Sequence, residues 1–308
     1  MGRSSKGKGD LGPQGELFAP LEMGGAPSQF SFNLASSRLP ENLILKPPGQ
    51  TNAKSKLIAE YISKFQLITR GGLFIDGFSA PQSRDHEEAW TARRVLEVEP
   101  KWLRAFWLCD IESGGLLQLQ RLKSLHHRSP RSRHVFVMNG DFNHTIKLIL
   151  NSSRMSQQTA IFALLDQRNT ECHWATVKAL AARAGRTKIE LLYFLGTSWL
   201  HRSLAASHRP ERLAEIDLWW GGQGWRDLKD LTQIQMVAAM ATRFSKELGY
   251  RFVNPYPIFQ EEDGAKPAFH LIHASDHPEA RKLMGRAYLK IVGDVPGVDT
   301  GRQSTMSI

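Results

Sequence analysis

The sequence predicts an α/β protein: an open sheet of five parallel strands followed by a C-terminal antiparallel hairpin. Three observations predict it. Short apolar runs recur between stretches with helical spacing, the rhythm that right-handed βαβ crossovers produce. The first run, Leu73 to Ile75, is apolar throughout, as in a strand covered on both faces. Several runs stop on an aspartate, the place where open α/β sheets hold nucleotide-like ligands.

Residues 1 to about 50 are rich in Gly, Pro and Ser without sustained periodicity and read as a poorly ordered arm. A partner-binding stretch is a candidate there, around Phe30 to Leu34. The folded domain is expected over 51–292 and a loose tail over 293–308. Leu57, Ile58, Tyr61, Ile62, Phe65, Leu67 and Ile68 recur at helical spacing, and Gly71-Gly72 stops that helix. The first strand follows and opens at Asp76-Gly77 into a turn. A helix is expected from His86 to Leu96, then a strand from Leu103 to Leu108 that stops at Cys109-Asp110. Next come a helix with Leu116, Leu117, Leu119 and Leu122, a strand Val135 to Met138, and a helix with Ile146, Leu148, Ile149 and Leu150. Thr159 to Leu165 is the fourth strand, ending on Asp166; Trp174 to Ala184 reads as helix and Ile189 to Leu195 as the fifth strand. A helix over Leu231 to Leu248 precedes two strands, Tyr250 to Ile258 and Ala268 to Ala274, joined by a polar acidic turn. One edge of the sheet should therefore be antiparallel. A last helix spans Pro278 to Ile291. This is the order of the Rossmann-like class I methyltransferase fold.

At 308 residues the chain can bury a large core, and no apolar run approaches the ~20 residues of a membrane span. The N-terminus lacks the apolar core of a secretory signal, so cytoplasmic residence is expected. The two cysteines, Cys109 and Cys172, form no metal-spaced cluster, and no metal site is expected among the scattered histidines. The formal net charge of +10 favours contact with polyanions, nucleic acid among them, or marks a solvated basic surface. The densest basic segment runs from His126 to His134.

The helix entering Phe74-Ile-Asp-Gly-Phe78, the Cys109-Asp110 strand end, Asn139-Gly-Asp-Phe-Asn143, Leu164-Leu165-Asp166 and the terminal Phe269-His-Leu-Ile-His-Ala-Ser-Asp-His-Pro278 resemble, in order and spacing, the three-Cys-motif partner protein (TcmP) family over about residues 52 to 291. The resemblance implies a methyltransferase-type domain, S-adenosylmethionine (SAM) as cofactor and, as partner, a protein with a three-cysteine, radical-SAM-like motif. The sequence departs from the family pattern at two places. Both later glycines of the first motif are replaced, by Ala80 and Gln82, and Asp166 is followed by Gln167-Arg168-Asn169 instead of Pro-Phe-Gly.

A SAM site of this type gives Asp76 and Gly77 to the methionine end, where the acid orients the amino group and glycine admits the ligand. Asp76 could equally cap the following helix. Asp110 would accept hydrogen bonds from ribose hydroxyls, with Glu112 as a nearby substitute, or cap the helix after it. Asp141 and Asn143 would read adenine, a donor-plus-acceptor pair suited to its edge, or cap the next helix. Asp166 is the catalytic candidate, facing the reacting methyl group. Trp219-Trp220 and Trp225 around a glycine run could form a lid, a stacking platform or a docking patch, or simply anchor the core. Two functions fit these residues: a SAM-dependent methyltransferase acting on or binding nucleic acid, and a catalytically eroded methyltransferase-fold partner that binds a second protein.

Overall fold

A computed structural model describes residues 49–81, 87–128, 133–205, 207–259, 267–293, 295 and 298–300. The arm expected over 1–50 lies almost wholly outside the described residues, as do Gln82 and the acidic turn before the last strand.

Helix α1 (Gly49–Thr69) leads into β1 (Leu73–Asp76). The reversal between them uses Arg70 and Gly71-Gly72, all with positive φ. At Gly72 a side chain would also strike the Phe65 ring, 2.8 Å away, so glycine is required on two counts. A 3-10 turn at Glu87–Ala89 and a short α2 (Thr91–Glu97) follow, replacing the single helix expected from His86. Then come β2 (Ala105–Asp110), α3 (Ser113–His126), β3 (His134–Asn139), α4 (Phe142–Leu150), β4 (Ile161–Leu165), α5 (Trp174–Ala181) and β5 (Glu190–Leu195). These match the expected elements within a few residues at each end.

The five strands are mutually parallel, in the order β3-β2-β1-β4-β5. Successive residues point to opposite faces, as strand geometry demands. Leu73 and Ile75 join one core with Trp107, Ala163, Leu191 and Tyr193, under α4, α5 and the helices after β5. Phe74 joins the other with Phe106, Phe162 and Leu192, under α1, α2, α3 and the last helix. Both faces are therefore dry, which is why the strands read as unbroken apolar runs.

The region after β5 holds structure that the sequence did not announce: α6 (Thr197–Ala205), α7 (Pro210–Trp220) and a 3-10 helix (Gln223–Asp230). Trp219 and Trp225 are core anchors. Both are fully buried; Trp219 Nε1 donates to the Tyr193 hydroxyl (2.7 Å) and Trp225 Nε1 to Asp217 Oδ1 (2.6 Å). Trp220 lies 4.0 Å beneath the Arg243 guanidinium. Helix α8 (Gln233–Lys246) opens with a capping box between Thr232 and Gln235.

The hairpin strands β6 (Phe252–Phe259) and β7 (Pro267–Ser275) are present, but β7 inserts between β5 and β6. Only β7 is antiparallel to the five, and β6 forms the edge. The two histidines of β7 are therefore interior residues. His270 is buried against Thr197 (3.0 Å), and burial pushes its pKa down to about 3. His273 is buried beside Glu190 (2.7 Å), which Tyr61 and Ser275 also engage. Helix α9 (Pro278–Ile291) closes the fold as expected. Of the expected tail only 293, 295 and 298–300 are described. Val295 is buried, the Thr300 backbone packs on Gly285 and Asp299 pairs with Arg281.

Candidate functional site

The carboxyl ends of β1, β2, β3 and β4 open into one cavity of about 560 Å³. Its walls include the six cofactor and catalytic candidates, Asp76, Gly77, Asp110, Asp141, Asn143 and Asp166, but not the tryptophans Trp219, Trp220 and Trp225. The topology brings them together because parallel strands present all their carboxyl ends on one side, and the strand order reverses at β1, with β2 and β3 on one side of it and β4 and β5 on the other.

Asp76 is buried at the end of β1, and its Oδ1 accepts from Phe78 N at 3.1 Å. The next helix begins far along the chain, so Asp76 shapes the turn and is not a helix cap. Burial, and then the charges of Asp166 and Asp110, push its pKa up to about 8 against the pull of the Phe78 amide. Gly77 is needed for close approach: a side chain there would run into the Phe142 ring at 2.7 Å. Ser79 staples the turn to β2, its N donating to Cys109 O (2.8 Å) and its Oγ accepting from Cys109 N (3.0 Å). Trp90 Nε1 donates to Ser79 O at 2.6 Å. Ala80 is unstrained, since Arg70 alone among the described non-glycine residues has positive φ.

Asp110 draws three backbone donors together: Ile111 N (2.9 Å) and Glu112 N (3.0 Å) on Oδ1, and Ala80 N (2.8 Å) on Oδ2. It ties the β1 turn to the β2 loop and stands ahead of α3, whose preceding residue is Glu112. Of the roughly four lone-pair sites of the carboxylate one is left for a further donor, on Oδ2. Glu112 reaches across the mouth to Arg168 (3.4 Å).

Asp141 does cap a helix, α4, through Asn143 N (2.8 Å). Asn143 is a hub. Its Nδ2 donates to Asp141 Oδ1 and Glu171 O, both at 2.8 Å, and its Oδ1 accepts from His173 N (2.8 Å) and Thr176 Oγ1 (2.7 Å). The side chain thereby locks the loop after β4 onto α4.

Asp166 is held by Lys54, whose Nζ stands 2.8 Å from both carboxylate oxygens. Lys54 is 2% exposed and lies over the rings of Phe194 (5.1 Å) and Phe269 (5.8 Å). Burial raises the Asp166 pKa while Lys54 opposes the rise. Sequence reasoning missed Lys54, although a signal existed: Lys54, Ile58, Tyr61 and Phe65 fall on one face of α1, placing a charge within the apolar stripe.

The basic segment is partly structural. Arg133 is buried, donating to Leu96 O (2.7 Å) and stacking on Phe106 (4.6 Å); His134 is also buried, and residues 129–132 lie outside the described residues. Among the described residues no group of three or more His, Cys, Asp or Glu could hold a metal ion, and no helix is long and apolar enough to cross a membrane.

Parallel β1 to β5, the inserted antiparallel β7 and a cavity at the strands' carboxyl ends define the class I methyltransferase fold. No family model matches the sequence, and no curated protein is similar to it. Among solved structures, the chain is similar to a DUF574 family protein from Streptomyces avermitilis (11% identity, 73% of this chain and 83% of that one, TM-score 0.40). It is also similar to the CurJ carbon methyltransferase (12% identity, TM-score 0.35), covering 68% of this chain but spanning about half, 49%, of that one. A third likeness is to a putative methyltransferase from Bacillus halodurans (11% identity, 70% and 98% coverage, TM-score 0.29).

Proposed function

We propose that the chain is a SAM-dependent methyltransferase of the three-Cys-motif partner type, acting on nucleic acid. The observation that carries this reading is the convergence of four carboxylates from successive strand ends on one cavity. Its volume of about 560 Å³ falls in the range of ligand pockets. The donor chemistry suits SAM. Asp76 would face the methionine ammonium, Gly77 leaves the turn close to the ligand, Asp110 has capacity for one ribose hydroxyl on Oδ2, and Asp141 and Asn143 line the adenine end. When bound, the cofactor supplies an electrophilic methyl group. Asp166 and Lys54 flank the acceptor, and the formal charge of +10 supports a polyanionic substrate. Isothermal calorimetry with SAM tests the proposal: saturable heat is expected, and neither heat nor a thermal shift at millimolar SAM would remove the enzyme reading.

A second reading, a catalytically eroded fold that docks the three-cysteine-motif radical-SAM-like partner, draws on Asn143, whose amide is spent on internal hydrogen bonds. Co-expression with such a partner separates the two. A complex that forms with no SAM binding by either calorimetry or thermal shift favours the docking role.

A further inference from the structure

The charge at the Asp166 end of the cavity is balanced. Lys54 and Asp166 both line the cavity, and Nζ stands 2.8 Å from each carboxylate oxygen. A free cationic amine brought to Asp166 would meet the Lys54 ammonium at close range, and like charges there repel. An anion would meet Asp166 and Asp110, which line the same cavity. A neutral exocyclic amine that only donates would leave Lys54 unanswered. A hydroxyl both donates and accepts. It can donate to Asp166, whose oxygens have lone pairs beyond those Lys54 engages, while accepting from Lys54, which has three N–H donors.

We propose that Lys54 and Asp166 together form a hydroxyl-recognition site, and that the group it takes is the ribose 2′-hydroxyl of RNA. The inference rests on the methyltransferase reading and names its substrate class. RNA is the hydroxyl-bearing ligand that a chain of formal charge +10 attracts, and the 2′-hydroxyl is what distinguishes RNA from DNA. Lys54 is held firmly in position, because its stem is buried on α1 and the faces of Phe194 and Phe269 confine its ammonium.

The test needs no turnover. Fluorescence anisotropy at one ionic strength compares single strands of one sequence in ribo, 2′-deoxy and 2′-O-methyl form, because phosphate contacts are common to all three. The intact chain is expected to prefer the ribo strand by about tenfold, the worth of one well-made hydrogen-bond pair. Lys54→Met/Asp166→Asn, which leaves no buried charge unpaired, should narrow the preference to about twofold or less. Lys54→Arg, which keeps the buried ion pair but moves its donors, serves if the double variant fails to fold, and should also narrow it. Equal affinity of the intact chain for ribo and deoxy strands overturns the proposal, as does a preference that survives both variants. SAM titration of the intact chain runs alongside. Ribo preference without SAM binding would sink the cofactor reading and leave the hydroxyl site standing; SAM binding without ribo preference would do the reverse.

Discussion

The Ala80 methyl group fills the space where a side chain on Gly115 would begin. The turn after β1 and the first turn of α3 are thus in direct contact, with Ala80 N also donating to Asp110 Oδ2 at 2.8 Å. The helix accommodates the Ala80 methyl by carrying a glycine at that point.

Gly115→Ala should therefore destabilise the protein by about 1–3 kcal/mol, the usual cost of overpacking, even though alanine favours a helix interior by about 1 kcal/mol. Ala80→Gly added to it should restore most of the loss. Urea unfolding of the two single variants and the double gives the coupling directly; additive effects would mean that the two residues do not share this space.

Asp76 links stability to pH. In the folded protein it keeps its proton to about pH 8, whereas an unfolded aspartate loses it near pH 4. Between these values the folded state binds more protons, so this residue's contribution to stability declines as pH rises through the window. Asp76→Asn removes the dependence. The variant is expected to gain on the order of 2 kcal/mol over the parent at pH 8.5 and little at pH 4. Denaturant midpoints across that range decide it, and a parent profile as flat as the variant's would contradict the buried, protonated carboxyl.

Much of this was legible in the chain because the determining physics is local. Leu73–Asp76 reads as a buried strand from its unbroken apolar run, and the acids of the site read from their position at strand ends. What was not legible depends on packing between distant segments. A hairpin announces that two strands pair, but the insertion of β7 beside β5 is decided by which strand has two apolar faces to bury, and all nine residues of β7 are buried. The helices over 197–220 escaped because they are short and lead into Gly221-Gly222 and a tryptophan-rich turn that looks irregular. Asn143 read as an adenine contact, since its four internal partners come from residues around Asp141 and 171–176 that only the fold assembles.

Asn143 should behave as a structural joint. Asn143→Ala leaves Asp141 Oδ1 and the Glu171 carbonyl without the amide donor, and His173 N and Thr176 Oγ1 without their acceptor. A loss of about 2–4 kcal/mol is expected, several hydrogen bonds at roughly 1 kcal/mol each. Hydrogen exchange localises it: the His173 amide and its neighbours should exchange faster while the β1 and β2 amides keep their protection. Unchanged exchange at His173 would contradict the role.

Lys54→Met should be costlier than its double with Asp166→Asn. Removing the ammonium leaves Asp166 buried and uncompensated, which typically costs about 3–5 kcal/mol, whereas neutralising both partners can be near neutral. The pH response separates this from a simple packing loss. Lys54 holds the Asp166 pKa down against the effect of burial, so without it the folded-state value climbs further above the unfolded one. The folded single variant then binds a proton that the unfolded chain does not, and its stability improves as pH falls. Unfolding of the single and double variants at pH 8 and pH 5 should show a gap that shrinks on acidification. A gap independent of pH would place the damage in the contacts of the Lys54 stem with Phe194 and Phe269 and not in the charge on Asp166.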